Sequence, residues 1–135
     1  MLLSHEHQEL YKTTRRFVES ELNPNVPEWE KQGIWPAREV LKKMAGLGLL
    51  GINKPEHCGG MGLDYSYQMM MAQALGNCTA GGLPMGIGVV TDMATPALAR
   101  FGSPDLQLEY LAPVIAGDLC CSIAVSEAGA GSDVA

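Results

Sequence analysis

Residues 126–135 read Ser126-Glu127-Ala128-Gly129-Ala130-Gly131-Ser132-Asp133-Val134-Ala135, and residues 120–125 before them are all small or β-branched. The short apolar run predicts a buried strand. Glycine lets the backbone approach a flat or charged ligand closely and present N–H groups to it. The serine hydroxyls can donate or accept hydrogen bonds. The stretch therefore predicts a strand and a ligand-binding turn, although a strand leaving a helical domain through a flexible turn has the same pattern.

Two common nucleotide-binding fingerprints do not fit this stretch. The dinucleotide pattern needs a small third residue, and Val134 occupies that position after Gly129 and Gly131. The phosphate loop needs a lysine after its last glycine, and residues 120–135 contain none. The two glycines therefore need a different explanation.

The composition is that of one acidic domain. The chain has 135 residues, which is enough for a single core, and 47% of them are hydrophobic. Only 18% are charged, against a usual share of ~25%, which favours surfaces that are covered by something. The formal net charge of −6 argues against a nucleic-acid partner, because such a partner requires a basic face.

The cysteines and histidines show no metal-ligand spacing, so we predict no metal site. Adjacent cysteines are poor disulfide partners and no C-x-x-C pair is present, so we expect reduced thiols in a reducing compartment. Met1-Leu2-Leu3 is too short for the core of a secretory signal, and no apolar run approaches ~18 residues, so we expect no membrane span. The cysteines are Cys58, Cys78, Cys120 and Cys121.

Apolar residues recur at helical spacing in five stretches. Pro96 lies inside the fourth, at about residues 83–101, and predicts a kink because proline removes a backbone donor. With residues 120–125, the pattern predicts an all-α fold, a helical bundle of about five main helices with one short C-terminal strand. The helices begin, in chain order, after Ser4, near Pro36, and after Asp64, Gly82 and Ser103.

The other segments carry few candidates for function. Prolines punctuate residues 24–36, which predicts a connector whose two tryptophans anchor packing. Glycine-rich residues 48–63 predict an ordered loop, in which His57 is a turn residue rather than a catalyst. The third helix is apolar nearly all round, which predicts that it and its methionines lie in the core.

Residues 126–133 resemble the Thr-Glu-Pro-Gly-Ala-Gly-Ser-Asp signature of acyl-CoA dehydrogenases. Ser126 keeps the hydroxyl of the threonine, and Ala128 in place of proline loosens the turn. Residues 48–63 and 101–118 are also similar to passages of that family, in the same order. The resemblance implies that 1–118 form the family's N-terminal helical domain. It also implies that 119–135 begin its flavin-binding β-domain, at whose threshold the chain stops.

The resemblance further implies an FAD-dependent α,β-dehydrogenation of an acyl-CoA thioester, with an electron-transfer flavoprotein as the oxidant of the reduced flavin. The family's catalytic glutamate lies beyond residue 135, so no catalytic residue is assigned and the 135 residues alone are expected to be inert. By position in the resemblance, Ile123, Ala124, Val125 and Ser126 are expected to line the flavin ring. Gly131 and Ser132 are expected to contact the flavin or the acyl-CoA.

The acyl-chain cavity is expected along Pro84, Met85 and Gly88, whose counterparts in the family begin the pocket wall. The resemblance also implies a homo-oligomer in the full-length form and the mitochondrial matrix as location, with the cytoplasm as the alternative because no presequence is visible. A second hypothesis is a non-catalytic helical module that binds a partner through uncovered surface. A nicotinamide-binding domain is disfavoured because alternating strands and helices are absent.

Overall fold

The computed structural model describes residues 3–133, and nearly all regular structure within them is helical. Three of the predicted main helices contain a π-helical segment, in which each N–H bonds five residues back instead of four. The all-α prediction is confirmed. The α-helices are α1 (His5–Phe17), α2 (Val26–Gln32), α3 (Ala37–Gly46), α4 (Tyr65–Leu75), α5 (Gly82–Gly88), α6 (Thr95–Phe101), α7 (Pro104–Leu106) and α8 (Ala112–Ile115); the π-helical segments are Val18–Leu22, Val89–Ala94 and Gln107–Leu111, and a 3₁₀ turn spans Glu56–Cys58.

The start of α1 is fixed by the predicted cap. The Ser4 side chain accepts from the backbone N–H of His7, and the Ser4 N–H donates to Nδ1 of His7 in return. Since Nδ1 accepts, Nε2 carries the proton and donates to Ser66 Oγ at 2.7 Å. The buried imidazole also stacks on Tyr67, with ring centroids 3.8 Å apart. One histidine thus joins the first turn of α1 to the first turn of α4.

Helix α2 lies in the stretch where the sequence predicted only a connector. Pro27 sits in its first turn, where the missing N–H has no intrahelical partner to lose, and Gly33 ends the helix with a φ of 67°. The prolines therefore position a helix rather than prevent one. The tryptophans Trp29 and Trp35 pack against the core as predicted.

The core lies between α1, α3, α4 and α5, and α1 packs along α4. Helix α4 is central, as predicted, and buries Met70 and Met71. Met69 departs from the prediction, because 53% of its surface is exposed. The fully buried apolar side chains include Val18, Leu22, Leu41, Met44, Leu49, Ile52, Met71, Ile87 and Leu111.

The predicted strand at residues 120–125 is not formed. A strand requires a neighbouring backbone to bond with, and the described part of the chain contains no other strand. The β-type pairing that the structure does show between residues 3 and 133 is the isolated bridge between Glu127 and Ala130, whose amides each donate to the other's carbonyl at 2.9 and 3.1 Å. The C-terminal stretch is therefore an extended segment that ends in a tight turn.

Candidate functional site

The extended segment displays most of its residues on the surface. Ile123 and Val125 are 45% and 56% exposed, and Ala124 and Ser126 are exposed as well. Among residues 3–133, no backbone–backbone hydrogen bond is made by residues 120–126. The four side chains predicted to line a cofactor are thus brought together on one exposed stretch, whose amides and carbonyls have no backbone partner in the described chain.

The turn that follows contains the two glycines of the motif. A Cβ atom built on Gly129 or Gly131 would meet no described heavy atom within 4 Å, and neither glycine has a positive φ. Neither the space around them nor the backbone conformation of this chain requires glycine here. Ser132 is exposed beside Gly131. What glycine and serine provide at these positions is access to the backbone and to a hydroxyl.

A cavity of about 290 Å³ lies between the first residues of the segment and the bundle. It does not include any of the residues predicted to bind cofactor or substrate. Its walls come from α6, α8, the ends of the π-helical segments before them and the turn into the extended segment, and they are mostly apolar. The lining residues are Ala94, Thr95, Leu98, Tyr110, Val114, Leu119, Cys120, Cys121 and Ser122.

Three further predicted residues, Pro84, Met85 and Gly88, lie on α5. Met85 is 64% exposed, Pro84 and Gly88 are partly exposed, and a Cβ on Gly88 would meet no described atom within 4 Å. Buried Leu83 and Ile87 face the core from the opposite side of the helix. The structure therefore places the three residues on the outward side of α5, apart from residues 123–126 in the chain and outside the 290 Å³ cavity.

Next to this helix lies a buried cation that the sequence analysis missed. Lys54 is only 2% exposed, and its Nζ donates to Asn53 Oδ1 at 2.6 Å and to the Thr91 carbonyl at 2.7 Å. Burial lowers the pKa of Lys54, and the negative charge of Asp92 opposes that shift. A lysine between Asn53 and Pro55 has the sequence context of an exposed loop, so periodicity gave no signal for it.

The loop around Lys54 explains how the ammonium stays buried. Gly62 N–H donates to the Lys54 carbonyl at 2.9 Å, and Met61 N–H donates to the Gly51 carbonyl at 2.8 Å, which folds the loop back on itself. A Cβ on Gly60 would lie 2.2 Å from the Lys54 carbonyl oxygen. Gly60 is therefore required by the close approach of two backbones, and this approach fixes the direction in which Lys54 enters the bundle.

Asp92, one turn past Gly88, is the second group that the sequence analysis did not identify. Its Oδ2 accepts from Gln68 Nε2 at 3.0 Å and from Thr91 Oγ1 at 2.7 Å, and its Oδ1 accepts from Tyr65 OH at 3.3 Å. The carboxylate raises the pKa of Tyr65. Gln68 is buried, whereas Tyr65 is 59% exposed, so the carboxylate spans the boundary between core and surface.

The other residues whose side chains could take part in chemistry have structural roles in the described part of the chain. His57 lies in the predicted loop, and its Nε2 is 2.7 Å from Gln107 Oε1, which ties the loop to the π-helical segment before α8. All four cysteines are free, as predicted. Between residues 3 and 133 no group of three His, Cys, Asp or Glu side chains could hold a metal ion. No described helix is both long and apolar enough to cross a bilayer.

A larger open groove of about 670 Å³ runs between α1 and α3, on residues that the sequence analysis did not predict. Lys43 and Glu21 form an ion pair at 2.6 Å in it. The groove contains none of the predicted site residues. The remaining lining residues are Thr13, Arg16, Phe17, Ser20 and Leu47.

Comparison with known proteins gives the same family for sequence and fold. Residues 4–118 match the family model described as acyl-CoA dehydrogenase, N-terminal domain. The short-chain specific acyl-CoA dehydrogenase of Homo sapiens mitochondria is 38% identical over 128 residues, which are 94% of this chain and 30% of that protein. The chain thus spans about a third of the length of the curated relatives it matches.

Two solved structures agree closely with the fold. An acyl-CoA dehydrogenase from Geobacillus kaustophilus superposes with a TM-score of 0.87 at 34% identity, covering 98% of this chain and 34% of that one. An acyl-CoA dehydrogenase complexed with FAD from Bacillus anthracis superposes with a TM-score of 0.88 at 30% identity, covering 98% of this chain and 22% of that one. The chain belongs to the acyl-CoA dehydrogenase family, whose N-terminal domain it matches over residues 4–118.

Proposed function

We propose that this chain supplies the helical domain, residues 1–118, and the first part of the flavin-binding domain, residues 119–135, of an FAD-dependent acyl-CoA dehydrogenase. The observation that carries the proposal is the family match over residues 4–118, followed after the extended residues 119–125 by the Ser-Glu-Ala-Gly-Ala-Gly-Ser-Asp motif at 126–133. The reaction is the α,β-dehydrogenation of an acyl-CoA thioester. No residue of this chain is proposed as the base that removes the α-proton.

The residues of the extended segment fit the cofactor. Residues 123–126 offer three exposed apolar side chains, a hydroxyl and a run of backbone groups without backbone partners among the described residues, which is what one edge of a flat, polar-rimmed ring requires. Gly131 leaves space for close approach, and Ser132 adds a hydroxyl. Bound FAD supplies the hydride acceptor. This chain's part is to hold one side of the ring and to exclude water from it.

The acyl group is proposed to lie along the outward side of α5, at Pro84, Met85 and Gly88. The open space above Gly88 supports this, because no described atom lies within 4 Å of the position that a Cβ would occupy. Gly131 or Ser132 would contact the flavin or the CoA part. Each of these contacts is formed by a group that the bundle leaves uncovered.

The proposed partners are the acyl-CoA substrate and an electron-transfer flavoprotein, and the proposed assembly is a homo-oligomer of the full-length form. The curated relative described above is mitochondrial and the two solved structures are bacterial. We propose the mitochondrial matrix as the compartment, on the strength of the mitochondrial relatives, with the cytoplasm as the alternative.

The test is a fusion of this chain to the part of the Geobacillus kaustophilus enzyme that follows the matching stretch. The fusion is expected to purify with the visible absorbance of bound FAD and to lose that absorbance when an acyl-CoA is added. Gly131→Val should lower the retention of FAD, because its side chain would fill the approach to the motif. Gly81→Val is the matched control, since a Cβ there also meets nothing within 4 Å. A folded fusion that binds no FAD would contradict the proposal.

A second candidate is the non-catalytic interaction module. The observation that favours it is the row of exposed apolar side chains from α6 into the π-helical segment before α8, where Phe101 is 79% and Leu108 is 56% exposed. In such a module the uncovered faces would bind a protein partner. Flavin absorbance separates the two candidates, because a module of this kind has no reason to retain FAD in the fusion.

A further inference from the structure

The outward side of α5 continues into the π-helical segment Val89–Ala94, and Asp92 is the one charged residue between 82 and 94. Positions 85, 88 and 92 are spaced by three and four residues, which places them on one side of a helix. Buried Leu83, Ile87 and Val90 mark the opposite side. If the acyl group lies along Met85 and Gly88, the next group it meets is therefore the Asp92 carboxylate.

The carboxylate is held in a fixed position. Gln68 and Thr91 occupy Oδ2 at 3.0 and 2.7 Å from within the bundle. Among the described residues, Oδ1 accepts the Tyr65 hydroxyl alone, at 3.3 Å. Each carboxylate oxygen can accept about two hydrogen bonds. One acceptor position on Oδ1 thus has no partner among the described residues, and it belongs to a carboxylate that is only partly buried.

The charge of Asp92 is also tied to the bundle. Lys54 brings a buried ammonium beneath the same turn, 2.7 Å from the Thr91 carbonyl, and has two neutral oxygens as its hydrogen-bond partners. Asp92 is the carboxylate whose field on that ammonium opposes the effect of burial. Replacing the carboxylate by a neutral group would leave the buried cation without its counter-charge, which is costly. The fold therefore requires a negative charge at residue 92, on the outward side of the helix that continues from α5.

On the proposed function, we infer that Asp92 is a specificity-determining residue, which favours acyl-CoA thioesters whose acyl group carries a hydrogen-bond donor such as a hydroxyl. A plain hydrocarbon chain against the carboxylate strips water from it and returns no hydrogen bond. A hydroxyl returns a charge-assisted one. An acyl group that ends in a second carboxylate is repelled.

The experiment measures binding to the ¹⁵N-labelled 135-residue chain by NMR, and it needs no flavin or turnover. The ligands are butanoyl-CoA, 4-hydroxybutanoyl-CoA and succinyl-CoA, which share a four-carbon backbone and differ only at its end. The matching six-carbon thioesters extend the series to a longer acyl chain. The reporters are the Gly88 amide and the Gln68 side-chain amide. The hydroxyacyl thioester is expected to bind about tenfold more tightly than the plain one, and the dicarboxylic one most weakly.

Asp92→Leu should reverse the preference between the plain and the hydroxylated thioester. Asp92→Asn keeps the shape of the side chain and removes its charge, so it serves as the test if the leucine variant does not fold. It should reduce the hydroxyl preference and relieve the rejection of succinyl-CoA, a change of selectivity that lost stability alone would not produce. Asp105→Asn, an exposed aspartate of α7, is the matched control and should leave all three affinities unchanged.

Equal binding of the plain and hydroxylated thioesters, or tighter binding of the plain one, overturns the inference and leaves the proposed function standing. If no thioester shifts Gly88, α5 is not the acyl wall. That result overturns both the inference and the part of the proposed function that places the acyl group there. Tighter binding of the hydroxylated thioester that disappears in Asp92→Leu supports the inference.

Discussion

At the scale of single residues, the unusual group is the ammonium of Lys54. Its hydrogen-bond partners are neutral, and the side chain is 2% exposed, so the charged form is deprived of water. Burial is the larger influence and lowers the pKa of Lys54, whereas the field of Asp92 acts in the opposite direction. The folded chain therefore releases this proton at a lower pH than the unfolded chain does.

This difference predicts a pH dependence of stability. Between the lowered pKa of Lys54 and its ordinary value of 10.5, the unfolded chain binds more protons than the folded one. The contribution of Lys54 to the free energy of unfolding thus rises with pH in that window. In urea unfolding at stepped alkaline pH, the free energy of unfolding of the wild type should increase relative to that of Lys54→Met as the pH rises towards 10.5.

The matched control for that series is Lys12→Met, which removes one positive charge from an exposed position on α1. Subtracting its pH trend removes the general effect of net charge. A difference between wild type and Lys54→Met that stays flat or falls across the alkaline range would show that the ammonium is not penalised by burial.

The residue scale is also where the sequence was least informative. Ser4 and Asp64 were identifiable as caps, because a cap is a local pattern that the chain itself completes. The roles of Lys54 and Asp92 depend on groups 37 and 24 residues away, Thr91 and Gln68. Hydrophobic periodicity carries no information about such distant partners. The hydrogen-bonded group of Lys54, Thr91, Asp92 and Gln68 could therefore be found only from the three-dimensional structure.

At the scale of elements, the long helix from α5 to α6 is interrupted by the π-helical segment just before Pro96. In a π-helix the carbonyl of residue i accepts from residue i+5. The partner of the Thr91 carbonyl would therefore be residue 96, a proline without an N–H. Lys54 Nζ, at 2.7 Å, and Thr95 Oγ1, at 3.1 Å, donate to that carbonyl instead. A side chain from a distant loop thus supplies the hydrogen-bond donor that Pro96 lacks.

This substitution predicts that Lys54 and Pro96 are energetically coupled. Pro96→Ala restores a backbone N–H in reach of the open turn, so Lys54→Met should cost less in that background, with a coupling of about 1 kcal/mol. The measurement is a double-mutant cycle from urea unfolding followed by circular dichroism. Pro104→Ala replaces Pro96→Ala in the control cycle, because Pro104 opens α7, where its missing N–H has no partner to lose. Additive effects in the Pro96 cycle would show that Lys54 does not replace the missing donor.

Elements with a strong local period were predictable and elements that need a partner were not. The stripes of α1 and α3 follow from helical spacing, the central place of α4 follows from its apolar residues nearly all round, and the caps Ser4 and Asp64 mark where α1 and α4 begin. Helix α2 escaped notice because its prolines resemble those of a connector. Residues 120–125 have strand-like composition, but a strand exists only beside another backbone, and the described residues provide none.

At the scale of the whole molecule, the chain is a well-packed bundle that leaves apolar groups uncovered on its exterior. Within residues 3–133 every buried side-chain nitrogen and oxygen has a hydrogen-bond partner. In contrast, large apolar side chains are exposed on the surface, several of them from α6 onward, and residues 120–126 have no backbone partner in the described part of the chain. The exposed apolar side chains from α6 onward we call the C-terminal surface; they are Phe101, Leu106, Leu108, Tyr110, Leu119, Ile123 and Val125.

The C-terminal surface predicts how the 135 residues behave alone: they associate, and they are catalytically inert. Exposed apolar groups and unpaired extended backbone favour pairing with another chain. Tight flavin binding needs most of the cofactor to be buried, and residues 123–126 provide one side only. In sedimentation velocity Phe101→Asp with Leu108→Asp should shift the chain towards monomer, whereas Ile34→Asp, at a side chain 69% exposed on the α2–α3 link, should not.

Substrate-dependent bleaching of added FAD above a flavin-only control would refute inertness, and would require a carboxylate of this chain, such as Glu127 or Asp133, to act as the base.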